Sequence, residues 1–193
     1  MKAKKSWREK LADSKGLPKV AEVTGKMSKK WGSGRMVIPA PSEVNQLMKK
    51  VPKGRVVTIN ELRSALAANH RADFACPLTT GIFSWIAAHA AAEAEAEGKT
   101  RITPYWRTLK NGGELNPKYP GGAEGVAKRL RAEGHKIIHK GKRSIVSDYE
   151  RYLFHLVAMP NKLTAKTLRA SKDGKGLKRF RTKKELYADL GLH

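Results

Sequence analysis

The chain has 193 residues, with 40 Lys and Arg against 17 Asp and Glu, a formal net charge of +23. Hydrophobic residues make up 40% of it, enough for one cored domain with appendages. Its single cysteine, Cys76, excludes an internal disulfide and a cysteine-based metal cluster, and no stretch approaches the roughly 20 apolar residues of a membrane-spanning helix.

The charge is concentrated at the two ends. Residues 1–50 carry 13 basic and 4 acidic side chains, residues 51–135 carry 12 and 8, and residues 136–193 carry 15 and 5. A folded centre between polycationic arms points to a phosphate polymer as partner. The six histidines show no paired metal-ligand spacing, so neither a metal nor a cofactor is expected. The start, MKAKKSWREKLADSK, lacks the apolar run of a signal peptide, and the expected location is cytoplasmic, on the nucleoid in a bacterium.

Residues 1–40 are rich in Lys, Gly and Ser and read as a basic arm, partly ordered at most. A short helix begins at Ser42, because Val44, Leu47, Met48 and Val51 recur on one stripe; Pro52 and Gly54 break it. In VVTINELRSALAA, Thr58 and Glu61 are spaced as a capping box, opening a helix that buries Leu62, Ala65 and Leu66. After the connector NHRADFACP a second helix runs from about Pro77 to Glu97, with Phe83, Ile86, Ala87 and Ala90 along one side. Two helices with a short irregular link fit a helix-turn-helix, or an ordinary helical hairpin. The other side of the second helix carries Thr80, Gly81, Ser84, Ala88 and Ala91, all small. Such a face suits close approach to a narrow groove, or packing against another helix.

In GGAEGVAKRLRAEG a third helix points Val126 and Leu130 inward and Lys128, Arg129 and Arg131 outward, and Gly134 stops it. HKIIHKGKRSIVSDY alternates around Gly141 as a β-hairpin whose Lys140, Lys142 and Arg143 tip suits phosphates. YERYLFHLVAM covers the core as a short helix or strand. From 159 to 193 the chain is a basic tail, with a small helix expected near 182–190.

Three of these stretches together resemble the DNA-binding domain of the O6-alkylguanine-DNA alkyltransferase family: VPKGRVVTINEL, ITPYWR, and PGGAEGVAKRLRAEGH. They match that family's Pro-Lys-Gly-x-Val start of its first helix, its Ile-Pro-Cys-His-Arg active-site turn, and its Gly-Gly helix ending in Glu-Gly-His. The resemblance covers residues from about 42 to 140. It implies a mainly α fold with a small β-hairpin, a winged helix-turn-helix of the alkyltransferase C-terminal domain type, over residues 41–158.

The departures bear on function. Tyr105 stands where the family has its acceptor cysteine, and Trp106 where it has the histidine that helps ionise it. A thiol reaches its thiolate near neutral pH, whereas a phenol with a reference pKa near 10 does not. The family's phosphate-side tyrosine is Ile59 here, and its base-replacing arginine falls at Pro77 or Leu78. The resemblance therefore implies a protein without catalytic residues, like the alkyltransferase-like proteins, which lack the cysteine and flag damaged bases for repair.

The expected DNA contacts are Lys53, Leu78, Thr79, Thr80, Ser84, Trp85, Lys140, Lys142 and Arg143, with Leu78 able to wedge between bases. The expected replaced pocket is Tyr105, Trp106, Arg107 and Glu133. In it Arg107 and Glu133 form a buried ion pair, and the aromatic pair stacks on a base or plugs the pocket. The expected partner is duplex DNA, alkylated DNA included, with repair proteins beyond it. An RNA- or ribosome-associated protein and a general nucleoid-type protein are the alternatives.

Overall fold

The computed structural model describes residues 5–25, 28–29 and 32–156. The chain divides after Val157, and the second unit, Ala158–His193, lies outside the described residues, as do the expected basic tail and its small helix. The first unit holds five helices among its described residues: α1 (Trp7–Ala12), α2 (Pro41–Lys49), α3 (Ile59–Asn69), α4 (Pro77–Ala96) and α5 (Gly122–Ala132). Between them run β1 (Lys19–Val23), β2 (Gly34–Ile38), β3 (Val57–Thr58), β4 (Phe74–Ala75), β5 (Thr108–Leu109), β6 (Ile137–Lys140) and β7 (Arg143–Val146).

α3 and α4 form the helix-turn-helix, and β6 and β7 form the wing, paired antiparallel from Ile137 opposite Val146 to Lys140 opposite Arg143. The local signals act as elementary chemistry requires. Thr58 caps α3, its backbone N–H donating to the Glu61 carboxylate at 2.8 Å while its own side chain accepts from Asn60 N–H. Pro41 opens α2 at its first position, where a missing N–H costs nothing. Val44, Leu47 and Met48 of α2, Leu62 and Leu66 of α3, and Val126 and Leu130 of α5 meet in one core.

The N-terminal segment departs from expectation. Residues 1–40 are not merely an arm, for their described part is built into the domain. β2 is the central strand of a three-stranded sheet, antiparallel to β1 and parallel to β4, so the helix-turn-helix connector is itself a strand of that sheet. Val37 of β2 is fully buried beside Val44 and Ala75. Asp73 ties the connector to β2, donating its N–H to the Arg35 carbonyl at 2.8 Å and accepting Arg35 N–H on its carboxylate at 2.7 Å. Gly34 is required beside it: its φ is +121°, and a Cβ there would stand 2.5 Å from an Asp73 oxygen.

Helix α1 is also docked. Ser6 and Glu9 form a capping box at its start. The Trp7 ring stacks on His89 with centroids 4.5 Å apart and meets Trp85 edge-on at 4.7 Å, and Arg8 reaches Glu97 at 2.5 Å. The basic, Gly-containing composition of this segment hides a few well-placed apolar residues that pack only once α4 exists to receive them.

Burying half of a large aromatic ring is worth about 2 kcal/mol. Trp7→Ala is therefore expected to lower the melting temperature by roughly 4–8 °C. Circular dichroism melts of the two proteins measure the difference, and an unchanged melting temperature would mean that α1 contributes nothing to the domain.

Candidate nucleic-acid interface

Helix α4 starts after Cys76, which is buried and gives the helix no side-chain cap. Its 20 residues place one face against α2 and α3, and that face is the small one. Thr80, Ser84, Ala88 and Ala91 are all buried. The expectation that Thr80 and Ser84 contact DNA is corrected: Thr80 Oγ1 donates to the Cys76 carbonyl at 2.8 Å and Ser84 Oγ to the Gly81 carbonyl at 2.9 Å. Small side chains allow two helices to approach closely, and the core uses that face before any ligand can. The side expected to be apolar is correspondingly mixed, with Ala87 and Ala90 buried and Phe83 and Ile86 only partly covered.

The outward face of α4 begins at Leu78, 59% exposed, and continues at Ile82, 42% exposed. Thr79 lies beside them, half-buried, with its hydroxyl making no hydrogen bond. Trp85 is corrected as a free contact: its indole N–H donates to the Lys118 carbonyl at 3.0 Å and its ring packs on Trp7. It still lines an open groove of about 750 Å³ with Pro77, Leu78, Gly81, Ile82 and Pro117. The opposite wall of this groove is the loop 110–118, which carries Lys110 and Lys118.

That loop joins α4 to the wing. Leu115 N–H donates to the Ser144 carbonyl at 2.9 Å, and Glu114 bridges Ile145 on β7. Lys140, Lys142 and Arg143 are exposed at the hairpin turn, and among the described residues no ion pair engages them. Lys53 is exposed on the turn after α2, next to Gly54, whose N–H donates to Glu133.

The ITPYWR turn forms a short 3₁₀ helix, Tyr105–Arg107. Arg107 and Glu133 pair as the sequence suggests, with Nε at 2.9 and 3.0 Å and Nη2 at 2.8 Å from the carboxylate. Trp106 Nε1 donates to the same carboxylate at 2.7 Å, Gly54 N–H at 3.1 Å, and Arg107 Nη1 donates to the Val51 carbonyl at 2.7 Å. Burial raises the Glu133 pKa, but the Arg107, Trp106 and Gly54 donors outweigh it and hold the carboxyl below its ordinary value.

Tyr105 is 2% exposed, edge-on to Trp106 and to Tyr119. Its ring therefore fills the turn from inside. Burial pushes its phenol pKa up, and the nearby Arg129 guanidinium offsets only part of that. A phenol shifted upward stays protonated at neutral pH, and this geometry gives it no base. Tyr119, fully enclosed, is pushed up to about 12 by burial, against hydrogen bonds with Ser84 and Asn116.

Beside Tyr105 lies a cleft of about 560 Å³, lined also by Ala92, Pro120, Gly121 and Gly125. The Gly-Pro-rich stretch before α5 thus packs at this cleft, and Gly121 takes a left-handed φ of 78° against the Gly125 backbone. Arg129 is not outward as expected: its guanidinium lies 4.6 Å from the Trp106 ring centroid and reaches Glu95 at 2.5 Å. Ile82 and Lys118 were not among the expected contacts, and Arg129 was expected only as an outward charge of its helix. Arg129 carried a signal, since position 129 follows Gly125 by one helical turn and shares its face.

No described helix is long and apolar enough to cross a membrane, and among the described residues no cluster of His, Cys, Asp or Glu is placed to hold a metal.

Breaking a buried ion pair by removing one partner costs about 3–5 kcal/mol. Arg107→Ala is expected to lower the melting temperature by roughly 6–20 °C, while the paired Arg107→Met, Glu133→Met variant loses less than the single Arg107→Ala. Thermal melts of the two variants and the native protein decide this. His135 gives a pH prediction. Its ring is 3% exposed, neither nitrogen has a partner, and burial lowers its pKa below the ordinary 6.5, with Glu133 opposing. The unfolded chain therefore takes up the proton first, so stability is full above pH 6.5 and falls as pH drops through 6.5 toward the depressed folded value. His135→Leu should flatten that slope in denaturant titrations between pH 7.5 and about 5.

The chain matches no protein-family model, and no curated protein is similar to it in sequence. Its fold is similar to two solved structures. One is S. pombe ATL in complex with DNA, at 18% identity over 59% of this chain and 93% of that one, with a TM-score of 0.44. The other is S. pombe Atl1 in complex with damaged DNA containing O6-carboxymethylguanine, at 17% identity over the same shares, with a TM-score of 0.43.

Proposed function

We propose that this chain is a non-enzymatic protein that binds duplex DNA through phosphate contacts from the wing, with the outer face of α4 laid against the duplex beside it. One observation carries the reading. The exposed cations of the wing, Lys140, Lys142 and Arg143, stand on a hairpin hydrogen-bonded to the same loop that borders the α4 groove. Residues 1–157 carry 30 basic and 14 acidic side chains, so the folded unit is strongly cationic by itself. Counterion release from the duplex then supplies sequence-independent affinity. The buried, protonated Tyr105 phenol supports a role without alkyl transfer.

A second reading rests on the cleft beside Tyr105. Its glycine-lined wall and the Arg129 guanidinium over the aromatic pair make a space in which an alkylated guanine is held. Tyr105 plugs the inside of the turn, and the base would rest outside it. On this reading the protein marks a damaged site in cytoplasmic or nucleoid DNA for repair proteins.

Fluorescence-anisotropy titrations with intact duplex, duplex containing O6-methylguanine, and structured RNA, at two salt concentrations, test both readings. Replacing Lys140, Lys142 and Arg143 by Ala should weaken duplex binding and lower the slope of log K against log salt by about 0.9 for each contact removed. An unchanged slope sinks the wing as the phosphate-binding element. Equal affinity for modified and unmodified duplex removes the damage reading, and tighter binding to RNA makes RNA the partner.

A further inference from the structure

We infer that the cleft between the end of α2 and the segment after α4 is a second phosphate-binding surface, which takes the backbone of another duplex and lets one molecule bridge two. The inference rests on the duplex-binding reading and extends it to a part of the domain that the wing and the α4 groove do not reach. The cleft holds about 560 Å³, and Lys49, Arg101, Trp106 and Arg107 are among its walls.

Its charge is of one sign. Lys49 and Arg101 are exposed, as is Lys50 beside them in the chain, and among the described residues no ion pair engages any of these. No acid lines the cleft among the described residues. Glu97, just past the end of α4, is taken by Arg8 at 2.5 Å and Lys99 at 3.5 Å, and Glu133 is taken by Arg107. Lys49, in the last turn of α2, also answers that helix's carbonyl end. Arg101 has no such duty, since it lies in the irregular segment beyond α4. Cations of one sign gathered around a concavity focus their potential into it.

Position makes this surface a separate one. α4 has 20 residues and is about 30 Å long, with the groove at its start and the cleft beyond its end. Helix α1 lies on the outer side of α4 between them, with Trp7 on Trp85 and His89 and with Arg8 on Glu93 and Glu97. A duplex seated on the wing and the groove is therefore parted from Arg101 by α1.

The lining selects the partner. Single strands are held largely by bases stacking on aromatic rings. The Trp106 ring is already engaged, with Arg129 at 4.6 Å, Arg107 at 5.6 Å and Tyr105 edge-on, and its N–H is spent on Glu133. A protein partner is anchored by a large side chain in an apolar hole. Here Pro104 is buried and Ile102 only partly covered, so the apolar part of the wall is small. Arg107 has its donors committed to Glu133 and the Val51 carbonyl. What stays available is the Lys49 ammonium, the Arg101 guanidinium and the exposed Thr100 hydroxyl, the groups that hold duplex phosphates without reading sequence.

The full chain is mixed with a biotinylated duplex and a fluorescent duplex, and streptavidin beads recover the first. Expected is recovery of the fluorescent duplex with the beads. Lys49→Ala with Arg101→Ala should abolish that recovery while leaving the melting temperature and the anisotropy binding of a single duplex as in the native chain, and Lys49→Arg with Arg101→Lys should keep it. In each single alanine variant the slope of log bridging against log salt should fall by about 0.9. Binding of one duplex by the native chain without recovery of the other overturns the second surface and leaves the duplex-binding reading intact. Failure to bind duplex at all overturns both. Undiminished recovery with the double alanine variant assigns bridging to dimers or to other basic segments, and the cleft is then wrong. Loss of single-duplex affinity in step with recovery places these cations in the first interface and also overturns the inference. If the double variant bridges as before but no longer binds a labelled poly-glutamate peptide that the native chain binds, the cleft takes an acidic protein instead.

Discussion

The Glu133 carboxylate takes hydrogen bonds from Arg107, Trp106 and Gly54 at once, and Arg107 passes on to the Val51 carbonyl. Four segments converge on it: the end of α5, the 105–107 turn, the end of α2, and the turn leading to β3. A carboxylate that is 7% exposed at its side chain is tolerable only because its acceptor sites are occupied by charged or strongly polar donors. The short parallel pairing of β3 with β5 follows from this anchorage, since Val57 and Thr58 meet Thr108 and Leu109 just beyond the pinned turns. So does the position of Tyr105, held between the ion pair on one side and Tyr119 on the other.

With the turn fixed, α4 has one way to lie. Its row of Thr80, Ser84, Ala88 and Ala91 brings its axis close to the α2–α3 layer, and the polar atoms in that row are satisfied within the helix. What remains outward is an apolar first turn and, near the far end, the acidic residues Glu93, Glu95 and Glu97. These acids are taken up by Arg8 and Arg129, which leaves them unable to repel an approaching polyanion strongly. The helix is thus polarised along its length, with its free end toward the groove and wing and its neutralised end toward α1 and α5.

The N-terminal sheet and α1 support this arrangement from behind. β2 pairs with the connector between α3 and α4, so the angle between the two helices is set partly by a strand that lies earlier in the chain. Trp7 of α1 then packs on Trp85 and His89 at the middle of α4 from the outside. A helix-turn-helix whose connector is a sheet strand is less free to flex than one joined by an open loop.

Local chemistry alone settled a good deal. The Thr58–Glu61 spacing specified a helix start, the alternation around Gly141 specified a hairpin, the apolar stripe of Val44, Leu47 and Met48 specified an inward face, and Arg107 with Glu133 was recognisable as a pair by resemblance. Those features depend on neighbours within a few residues, or on a motif read whole. Which face of α4 would be buried did not, because its mixture of small and apolar residues carries almost no helical periodicity, and small residues pack as readily as they expose. Burial of Thr80 and Ser84, exposure of Leu78 and Ile82, the turning of Arg129 onto Trp106, and the recruitment of α1, β1 and β2 into the fold were decided by contacts between segments far apart in the chain. A short strand or a six-residue helix has too little local free energy to announce itself, and it forms only against a surface that the rest of the chain has built.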